Sequence, residues 1–319
     1  MKVVITRELK QNYMEEIQEA VPDYSFVKAT DSDSQEKELI DADILVTFPA
    51  VLGVEKIYRA EKVSWIQSWS AGVDTLTKPD VLKYLIGNNI QLTTMSGIHG
   101  DVIAEQVMGL IISFSRKLYK CYQQQKNCIW QRPQVSQLAG KTMGIIGLGS
   151  VGREIASRAK AFKMTVLGTK RDINNAVENV DKLYSPDELL VLLKESDYVV
   201  PAVPLTDETT YMFGHDEFRA MKKTAIFINI SRGKVVNEAE LIKALEEGMI
   251  AGAGLDVFAE EPLPAQSPLY MMENVLITPH FAGIFPDYNK RAVELLIKNL
   301  LRYKNGKRLI NLVDYNRGY

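Results

Sequence analysis

Three predicted hydrophobic strands each lead to a polar side chain that could take part in chemistry. Arg232 follows "TAIFINIS", Asp256 follows "GAGL" and His280 follows "NVLITP". The carboxyl ends of parallel strands meet at one edge of a sheet, so these side chains should converge. Arginine can hold a carboxylate through two hydrogen bonds, and histidine can protonate a developing alkoxide. The pattern indicates reduction of a carbonyl in an anionic substrate, although each residue alone could form a surface salt bridge.

The general acid has few candidates, because the chain contains only three histidines. His99 stands before a helix in "SGIHGD", and His215 opens a polar helix in "GHDEF". A solvated or capping role is favoured for both of them. His280 is therefore the predicted acid. A carboxylate beside it, from Asp256, Glu260 or Glu261, would favour the imidazolium and fix its tautomer.

A glycine-rich turn predicts a second site. Gly147, Gly149 and Gly152 lie between the strand "TMGII" and a helix, in the spacing G-x-G-x-x-G. Such glycines permit a tight turn, let the backbone approach a pyrophosphate, and let helix and strand pack closely. The alternative is a glycine turn that only closes a βα unit. In this strand-turn-helix context the turn predicts dinucleotide binding.

The end of the next strand bears on the choice of cofactor. NAD-binding proteins usually place an acidic residue there, about 20 residues after the turn, to bind the ribose 2′-hydroxyl. This chain instead has Thr169, Lys170 and Arg171. Two cations and a hydroxyl suit a 2′-phosphate, so NADP is the predicted cofactor. A solvated basic turn that tolerates NAD, with Asp172 turned inward, is the alternative.

The pattern of elements predicts how these residues are positioned. Short β-rich runs alternate with helical periodicity in two series, the first starting at "KVVIT" and the second at "KTMGIIG". This alternation is typical of parallel sheets with crossover helices, so two α/β units are expected. Between them, 101–130 is predicted as one long helix. A further helix is expected from about Asp287 to Tyr303, followed by a tail that packs on the first unit.

Composition limits the class of partner. The chain has 319 residues, 46% hydrophobic, with a formal net charge of −2. A net charge this small attracts neither nucleic acid nor an anionic membrane. No signal peptide or membrane span is predicted, and no metal site. Cys121 and Cys128 are too far apart on a helix to form a disulfide, which favours the cytoplasm.

Several longer stretches resemble the D-isomer-specific 2-hydroxyacid dehydrogenases, of the glyoxylate/hydroxypyruvate reductase type. The matching stretches are "SAGVD", "SGIHGDVIAEQVMGLII", "GIIGLGSVG", "VPLTDETTYMFG", "INISRGKVVNEAELIKALEEGMIAGAGLDVFAEEPL" and "TPHFAG". The resemblance implies Rossmann/flavodoxin-like domains, with a dinucleotide-binding domain (99–283) inserted into a discontinuous substrate-binding domain (1–98 and 284–319). It also implies a site in the cleft between them and a homodimer.

The resemblance further implies particular roles. Arg232 would bind substrate, Glu261 would pair with the acid His280, and the amides of Ala71 and Gly72 would bind the substrate carboxylate. The implied cofactor-binding residues are Gly147, Leu148, Gly149, Ser150, Val151, Gly152, Thr169, Lys170, Arg171, Val203, Pro204, Ile230, Ser231, Arg232, Asp256, His280 and Gly283.

The chain departs from the family pattern in two places. Ala202 replaces a histidine common before "VPLT", and "IFPDY" follows "TPHFAG" where a hydroxyl residue is more usual. Neither change touches Arg232, Glu261 or His280.

The expected substrate is an unphosphorylated 2-oxoacid. The loop "TFPAVLGVEK" has no arginine near its start to bind a phosphate. A small or apolar side chain would be lined by Phe48, Trp69 or Trp130, which could equally be packing aromatics. The 2-hydroxyacid itself is left open. A dinucleotide-sensing corepressor of the same fold is the alternative function.

Overall fold

The computed structural model describes residues 1–319 apart from the side chain of Ala50. By its internal contacts the described chain divides into two compact units. The first comprises Met1–Ile98 and Phe285–Tyr319, and the second comprises His99–Ile284. Ile284, which the sequence analysis placed in the discontinuous domain, lies in the second unit.

The strands have the following bounds, in chain order: β1 Lys2–Ile5, β2 Ser25–Lys28, β3 Ile44–Thr47, β4 Trp65–Ser68, β5 Gln91–Thr93, β6 Thr142–Ile146, β7 Thr165–Thr169, β8 Lys182–Tyr184, β9 Tyr198–Pro201, β10 Ile226–Asn229, β11 Gly252–Leu255 and β12 Val275–Ile277. The α-helices are α1 Gln11–Ala20, α2 Ser32–Glu38, α3 Pro49–Leu52, α4 Val54–Tyr58, α5 Pro79–Gly87, α6 Gly100–Arg116, α7 Leu118–Lys126, α8 Ser150–Ala161, α9 Leu189–Glu195, α10 His215–Ala220, α11 Glu238–Glu246 and α12 Tyr288–Lys304. Short 3-10 helices cover Pro186–Glu188, Gly233–Val235 and Pro268–Met271.

The first unit is built on a sheet with the order β2-β1-β3-β4-β5, in which each neighbouring pair is parallel. Every residue of β3 and β4 is buried, as expected for central strands covered on both faces. The tail of the chain reaches β5, where Thr93 and Leu312 form an antiparallel bridge. The amide of Val313 donates to the carbonyl of Leu92 at 2.8 Å. The tail therefore belongs to this unit.

The second unit has a sheet with the order β12-β11-β10-β9-β6-β7-β8, again parallel at each neighbouring pair. Side chains of β6 such as Ile145 pack on one face with Ile111 of α6 and Ile155 of α8. Side chains on the other face, Phe227 among them, pack with Phe218 of α10. The predicted class, α/β with parallel sheets, is confirmed.

The structure differs from the sequence prediction in three elements. The long helix predicted over 101–130 is wrong, because Lys117 adopts a left-handed conformation (φ 55°) and separates α6 from α7. No intervening glycine signals this break. Strands β5 and β8 were not predicted, since each has only three residues and a weak alternation. Within the described chain, no helix is long and apolar enough to cross a membrane.

Candidate active site

One edge of the second unit's sheet carries most of the predicted site residues. Because the strands are parallel, their carboxyl ends all reach this edge. From β12 to β7 across the sheet, the positions that follow the strands are occupied by His280, Asp256, Arg232, Val203, the turn Gly147–Gly152 and Lys170.

His280 and Glu261 form the closest polar contact at this edge. Nδ1 of His280 lies 2.5 Å from Oε2 of Glu261. The other carboxylate oxygen, Oε1, accepts a hydrogen bond from the amide of Phe258 at 2.9 Å. The His280 side chain is 51% exposed, so its ring is accessible from solvent while its Nδ1 is held. Of the carboxylates considered beside His280, Glu261 makes the contact and Glu260 is exposed.

Asp256 fixes the backbone around His280 rather than its ring. Its carboxylate is buried and accepts hydrogen bonds from Thr278 Oγ1 at 2.5 Å and from the amides of Phe281 and Ala282 at 3.2 and 3.0 Å. The amide of His280 donates to the Asp256 carbonyl at 2.9 Å. His280 has φ 50°, which is uncommon for a residue other than glycine. The buried carboxylate therefore stabilises a strained loop.

Asn229 and Gly233, which the sequence analysis did not single out, shape the loop that carries Arg232. The Asn229 side-chain oxygen accepts from the amide and hydroxyl of Ser231 at 3.1 and 3.0 Å, and its nitrogen donates to the Arg232 carbonyl at 3.1 Å. A Cβ at Gly233 would lie 1.8 Å from the carbonyl oxygen of Phe258. Only glycine permits this contact, which joins the Arg232 loop to the segment leading to Glu261.

The Arg232 guanidinium has a local anchor. Its Nη1 donates to the carbonyl of Ser231 at 2.7 Å. Ile230 and Ser231 are buried beneath it. The guanidinium is thus presented from a fixed backbone at the end of β10.

The glycine turn has the geometry its motif predicts. Gly147 has φ 96°, and a Cβ at Gly152 would lie 2.1 Å from the carbonyl oxygen of Gly147. At Gly149, the residue before α8, a Cβ would have no heavy atom of the described residues within 4 Å. The backbone is therefore open where a pyrophosphate would approach the amino end of α8. Leu148, Ser150 and Val151 complete the turn.

The side chains at the end of β7 and just after it differ in burial and in their hydrogen-bond partners. Thr169 is buried, and its hydroxyl accepts a hydrogen bond from the amide of Gly147 at 3.1 Å. Lys170 donates its amide to the carbonyl of Tyr184 at 3.1 Å. Arg171 forms an exposed ion pair with Glu208 at 2.6 Å. Thr169 thus supports the turn, while the two cations lie beside it.

The remaining predicted cofactor contacts lie near the same edge. Pro204 is exposed, and its carbonyl accepts from the hydroxyl of Thr209 at 2.7 Å. A Cβ at Gly283 would lie 3.2 Å from Cδ2 of His99. His99 is buried, so the solvated interpretation of it is wrong. It occupies the N-cap position of α6, but its side chain makes no capping hydrogen bond. His215 is 3.4 Å from Glu240 through Nδ1 and partly exposed.

In the first unit, the loop after β4 contains Ala71 and Gly72. The hydroxyl of Ser70 donates to the carbonyl of Gly72 at 2.6 Å and lies 2.9 Å from the Ser68 hydroxyl. The amides of Ala71 and Gly72 donate to no acceptor among the described residues. The loop therefore offers two adjacent donors.

The aromatic residues proposed to line a substrate differ in exposure. Phe48 is 39% exposed, while Trp69 is fully buried in the core of the first unit. Trp130, in the second unit, is 99% exposed. Trp69 is thus a packing residue, the reading left open by the sequence.

Comparison with known proteins places this geometry in a family. The family model "D-isomer specific 2-hydroxyacid dehydrogenase, NAD binding domain" matches residues 108–282. The chain belongs to this family. As a member of it, the protein is an NAD(P)-dependent oxidoreductase.

Similar proteins match along the whole chain. A glyoxylate reductase of Korarchaeum cryptofilum is 33% identical over 328 residues, covering 98% of this chain and 96% of that protein. A family member from Aeromonas salmonicida has a structure with a TM-score of 0.89 and 33% identity, covering 98% of this chain and 99% of the other. An NADPH-dependent glyoxylate/hydroxypyruvate reductase from Sinorhizobium meliloti, in complex with NADP and sulfate, has a TM-score of 0.86 and 26% identity, with coverage of 100% and 99%.

Gly152 allows a direct test of the glycine turn. We expect Gly152→Ala to weaken NADPH binding by about tenfold or more, because the added Cβ would lie 2.1 Å from the Gly147 carbonyl and displace the turn. The dissociation constant can be measured by NADPH fluorescence. Gly109→Ala on α6 is the control, since no described heavy atom lies within 4 Å of its added Cβ. An unchanged constant in Gly152→Ala would argue against dinucleotide binding at this turn.

Proposed function

We propose that the protein reduces a small, unphosphorylated 2-oxoacid to the D-2-hydroxyacid, with NADPH preferred, and catalyses the reverse oxidation. The observation that carries this proposal is the 2.5 Å contact of His280 with Glu261, at the sheet edge that also carries Arg232. An acid held by a carboxylate, near a cation, is what carbonyl reduction in an anionic substrate requires. The glyoxylate reductase relatives support a small substrate.

His280 is the proposed proton donor. Because Glu261 accepts from Nδ1, the opposite ring nitrogen, Nε2, delivers the proton to the developing alkoxide. The Glu261 carboxylate holds Nδ1 and so fixes the tautomer and the orientation of the ring. The nicotinamide, when bound, supplies the hydride. Arg232 binds and orients the substrate carboxylate by a two-pronged hydrogen bond.

The amides of Ala71 and Gly72 are proposed to bind a substrate carboxylate. Both lack an acceptor among the described residues. The neighbouring serine hydroxyls bond to each other and to the Gly72 carbonyl, which fixes the loop. Pre-arranged donors of this kind bind an anion without a further cost of ordering.

The residues of the second unit fit a dinucleotide with a 2′-phosphate. The open backbone at Gly149 suits the pyrophosphate. Lys170 and Arg171 supply the charge for a phosphate at the end of β7, and the Sinorhizobium meliloti relative was solved with NADP. Glu208 is bound to Arg171 in the structure, so the 2′-phosphate would have to replace that carboxylate. Because Glu208 already pairs with Arg171, NAD, which has no 2′-phosphate, is the second proposed cofactor. The other proposed contacts are Val203, Pro204, Ile230, Ser231, Asp256 and Gly283.

A homodimer is also proposed. The segment from α7 to residue 135 exposes large apolar side chains, including Tyr122 at 58%, Ile129 at 52% and Trp130 at 99%. A cluster of this kind marks an interaction surface. A second copy of the chain is the proposed partner, as the family resemblance implies.

The remaining partners follow the composition. A small-molecule substrate, without nucleic acid or membrane, is proposed from the balanced charge. Cytoplasmic location stays a prediction supported by two free, exposed cysteines, Cys121 and Cys128. The corepressor-like sensor is not favoured by the glyoxylate reductase relatives.

Replacement of His280 tests the chemistry. We expect His280→Gln to lower kcat for glyoxylate reduction by about a hundredfold to ten-thousandfold, because the proton donor is lost. NADPH consumption is followed by absorbance. His215→Gln, a partly exposed histidine of the same unit, is the control and should retain activity. Wild-type protein that turns over no 2-oxoacid but binds NADPH would support the sensor instead.

Cofactor preference tests the basic segment after β7. We expect the wild type to favour NADPH over NADH by about tenfold to a hundredfold in kcat/KM, the effect of charge-assisted hydrogen bonds to the 2′-phosphate. The double variant Lys170→Asp, Arg171→Ala should reduce or reverse this ratio. Lys223→Asp, an exposed lysine elsewhere in the unit, should leave it unchanged. A preference for NADH in the wild type would refute the assignment.

Sedimentation equilibrium tests the dimer. The expected particle has twice the 35.9 kDa chain mass. The double variant Ile129→Asp, Trp130→Asp should raise the dissociation constant of the dimer by about tenfold or more, because it places charge in the apolar surface. Met271→Asp, which also alters an exposed apolar residue, is the control. A wild type that sediments as a monomer at micromolar concentration would rule the dimer out.

A further inference from the structure

Arg7 places a cation at the carboxyl edge of the first unit's sheet. It lies two residues beyond β1, which pairs with β3 through Ile5 and Val46. The ends of these strands are joined by a 2.7 Å hydrogen bond between the hydroxyls of Thr6 and Thr47. Extending this register by two residues brings Arg7 opposite Phe48. The "TFPAVLGVEK" loop, which has no arginine near its own start, therefore has one beside it.

The Arg7 guanidinium lies over an aromatic ring. Its central carbon is 5.1 Å from the ring centroid of Trp69, which is fully buried. The amide of Trp69 donates to the carbonyl of Thr47 at 2.7 Å, and the hydroxyl of Tyr288 donates to the Trp69 carbonyl. These contacts fix the backbone of Trp69, and its side chain packs in the core of the first unit. Since Trp69 precedes Ala71 by two residues, Arg7 lies on the sheet edge that bears the proposed carboxylate-binding loop.

No acidic partner accounts for this cation. Burial is the main cause that lowers the pKa of Arg7, and the Tyr288 phenol acts in the opposite direction. No carboxylate of the described residues contributes to it. Nε of Arg7 is buried without a hydrogen-bond partner among the described residues, and so is Nε1 of Trp69. A buried guanidinium nitrogen without an acceptor is costly, and Arg7, which is only partly buried, can offer its guanidinium to an anionic ligand, whereas the Trp69 indole is enclosed in the core.

We propose that Arg7 binds a second carboxylate of the substrate, so that the preferred substrates are dicarboxylic 2-oxoacids. This inference rests on the proposed function, because it places the first carboxylate at Ala71 and Gly72. A single guanidinium matches the single charge and two oxygens of a carboxylate. A phosphate, with up to two charges, would call for a further cation. Arg7 is then a specificity-determining residue, and the apolar side chain expected for the substrate is replaced by an acidic one.

Two matched substrates isolate this contact. Oxaloacetate and 4-methyl-2-oxopentanoate have the same chain length and branching, but the first ends in a carboxylate where the second ends in an isopropyl group. We expect the wild type to have at least about tenfold higher kcat/KM for oxaloacetate. Arg7→Met, which keeps length and removes charge, should lower kcat/KM for oxaloacetate by about thirtyfold or more. The loss should appear mainly in KM. For glyoxylate and 4-methyl-2-oxopentanoate, kcat/KM should change by less than about threefold.

The controls separate this inference from a structural role of Arg7. Arg59→Met removes an exposed arginine of the same unit, whose partner is Glu36 at 3.4 Å. It should leave kcat/KM unchanged for all three substrates. Arg7→Lys restores the charge and should recover part of the oxaloacetate activity. An equal loss for all three substrates in Arg7→Met would assign Arg7 to folding, and a wild type that prefers 4-methyl-2-oxopentanoate would also overturn the proposal.

The test also distinguishes failure of the inference from failure of the proposed function. Glyoxylate turnover without a preference for oxaloacetate overturns only the role of Arg7. If no 2-oxoacid is reduced, calorimetric titration with malate decides the matter. Binding by the wild type that is lost in Arg7→Met supports an anion site at Arg7, and absence of binding to the wild type overturns it. Preferred turnover of a phosphorylated 2-oxoacid would likewise contradict the carboxylate assignment.

Discussion

A single buried aspartate, through its carboxylate and its amide, ties together the strand ends on which the candidate site depends. Asp256 bonds to the hydroxyl and amides of the segment after β12, and its own amide donates to the Asn229 carbonyl of β10 at 2.9 Å. A buried charge without such partners would be strongly destabilising. Its hydrogen bonds thus fix one conformation of β10, β11 and β12 relative to one another. His280 can hold its left-handed backbone because this network over-determines it.

The sequence identified the strand ends well, because parallel strands bring their carboxyl ends to one edge whatever the detail between them. It could not choose among Asp256, Glu260 and Glu261 from residue types alone, since that choice depends on the path of the loop after β11. Asp256 faces the backbone of the next strand, while Glu261 reaches the ring. The family resemblance named Glu261, and the structure supplies the physical reason.

Other features depended on contacts distant in sequence. Arg7 and Phe48 are 41 positions apart and become neighbours only through the pairing of β1 with β3. The hydroxyl of Thr169, which the sequence assigned to a ribose phosphate, is engaged by the glycine turn. The break between α6 and α7 at Lys117 shows no local signal, because lysine favours helix continuation and rarely adopts the left-handed conformation that it has here. The periodicity of apolar residues predicts which side chains are buried, but it does not predict contacts between residues that are distant in sequence.

The close contact between Gly233 and Phe258 limits how this protein can evolve. A side chain at residue 233 would occupy the space of the Phe258 carbonyl, so each substitution there moves the loops of Arg232 and Glu261 together. No compensating change in a side chain can relieve a collision with main chain. The two loops are therefore expected to be conserved together, and substitutions that change substrate preference are expected at positions outside them.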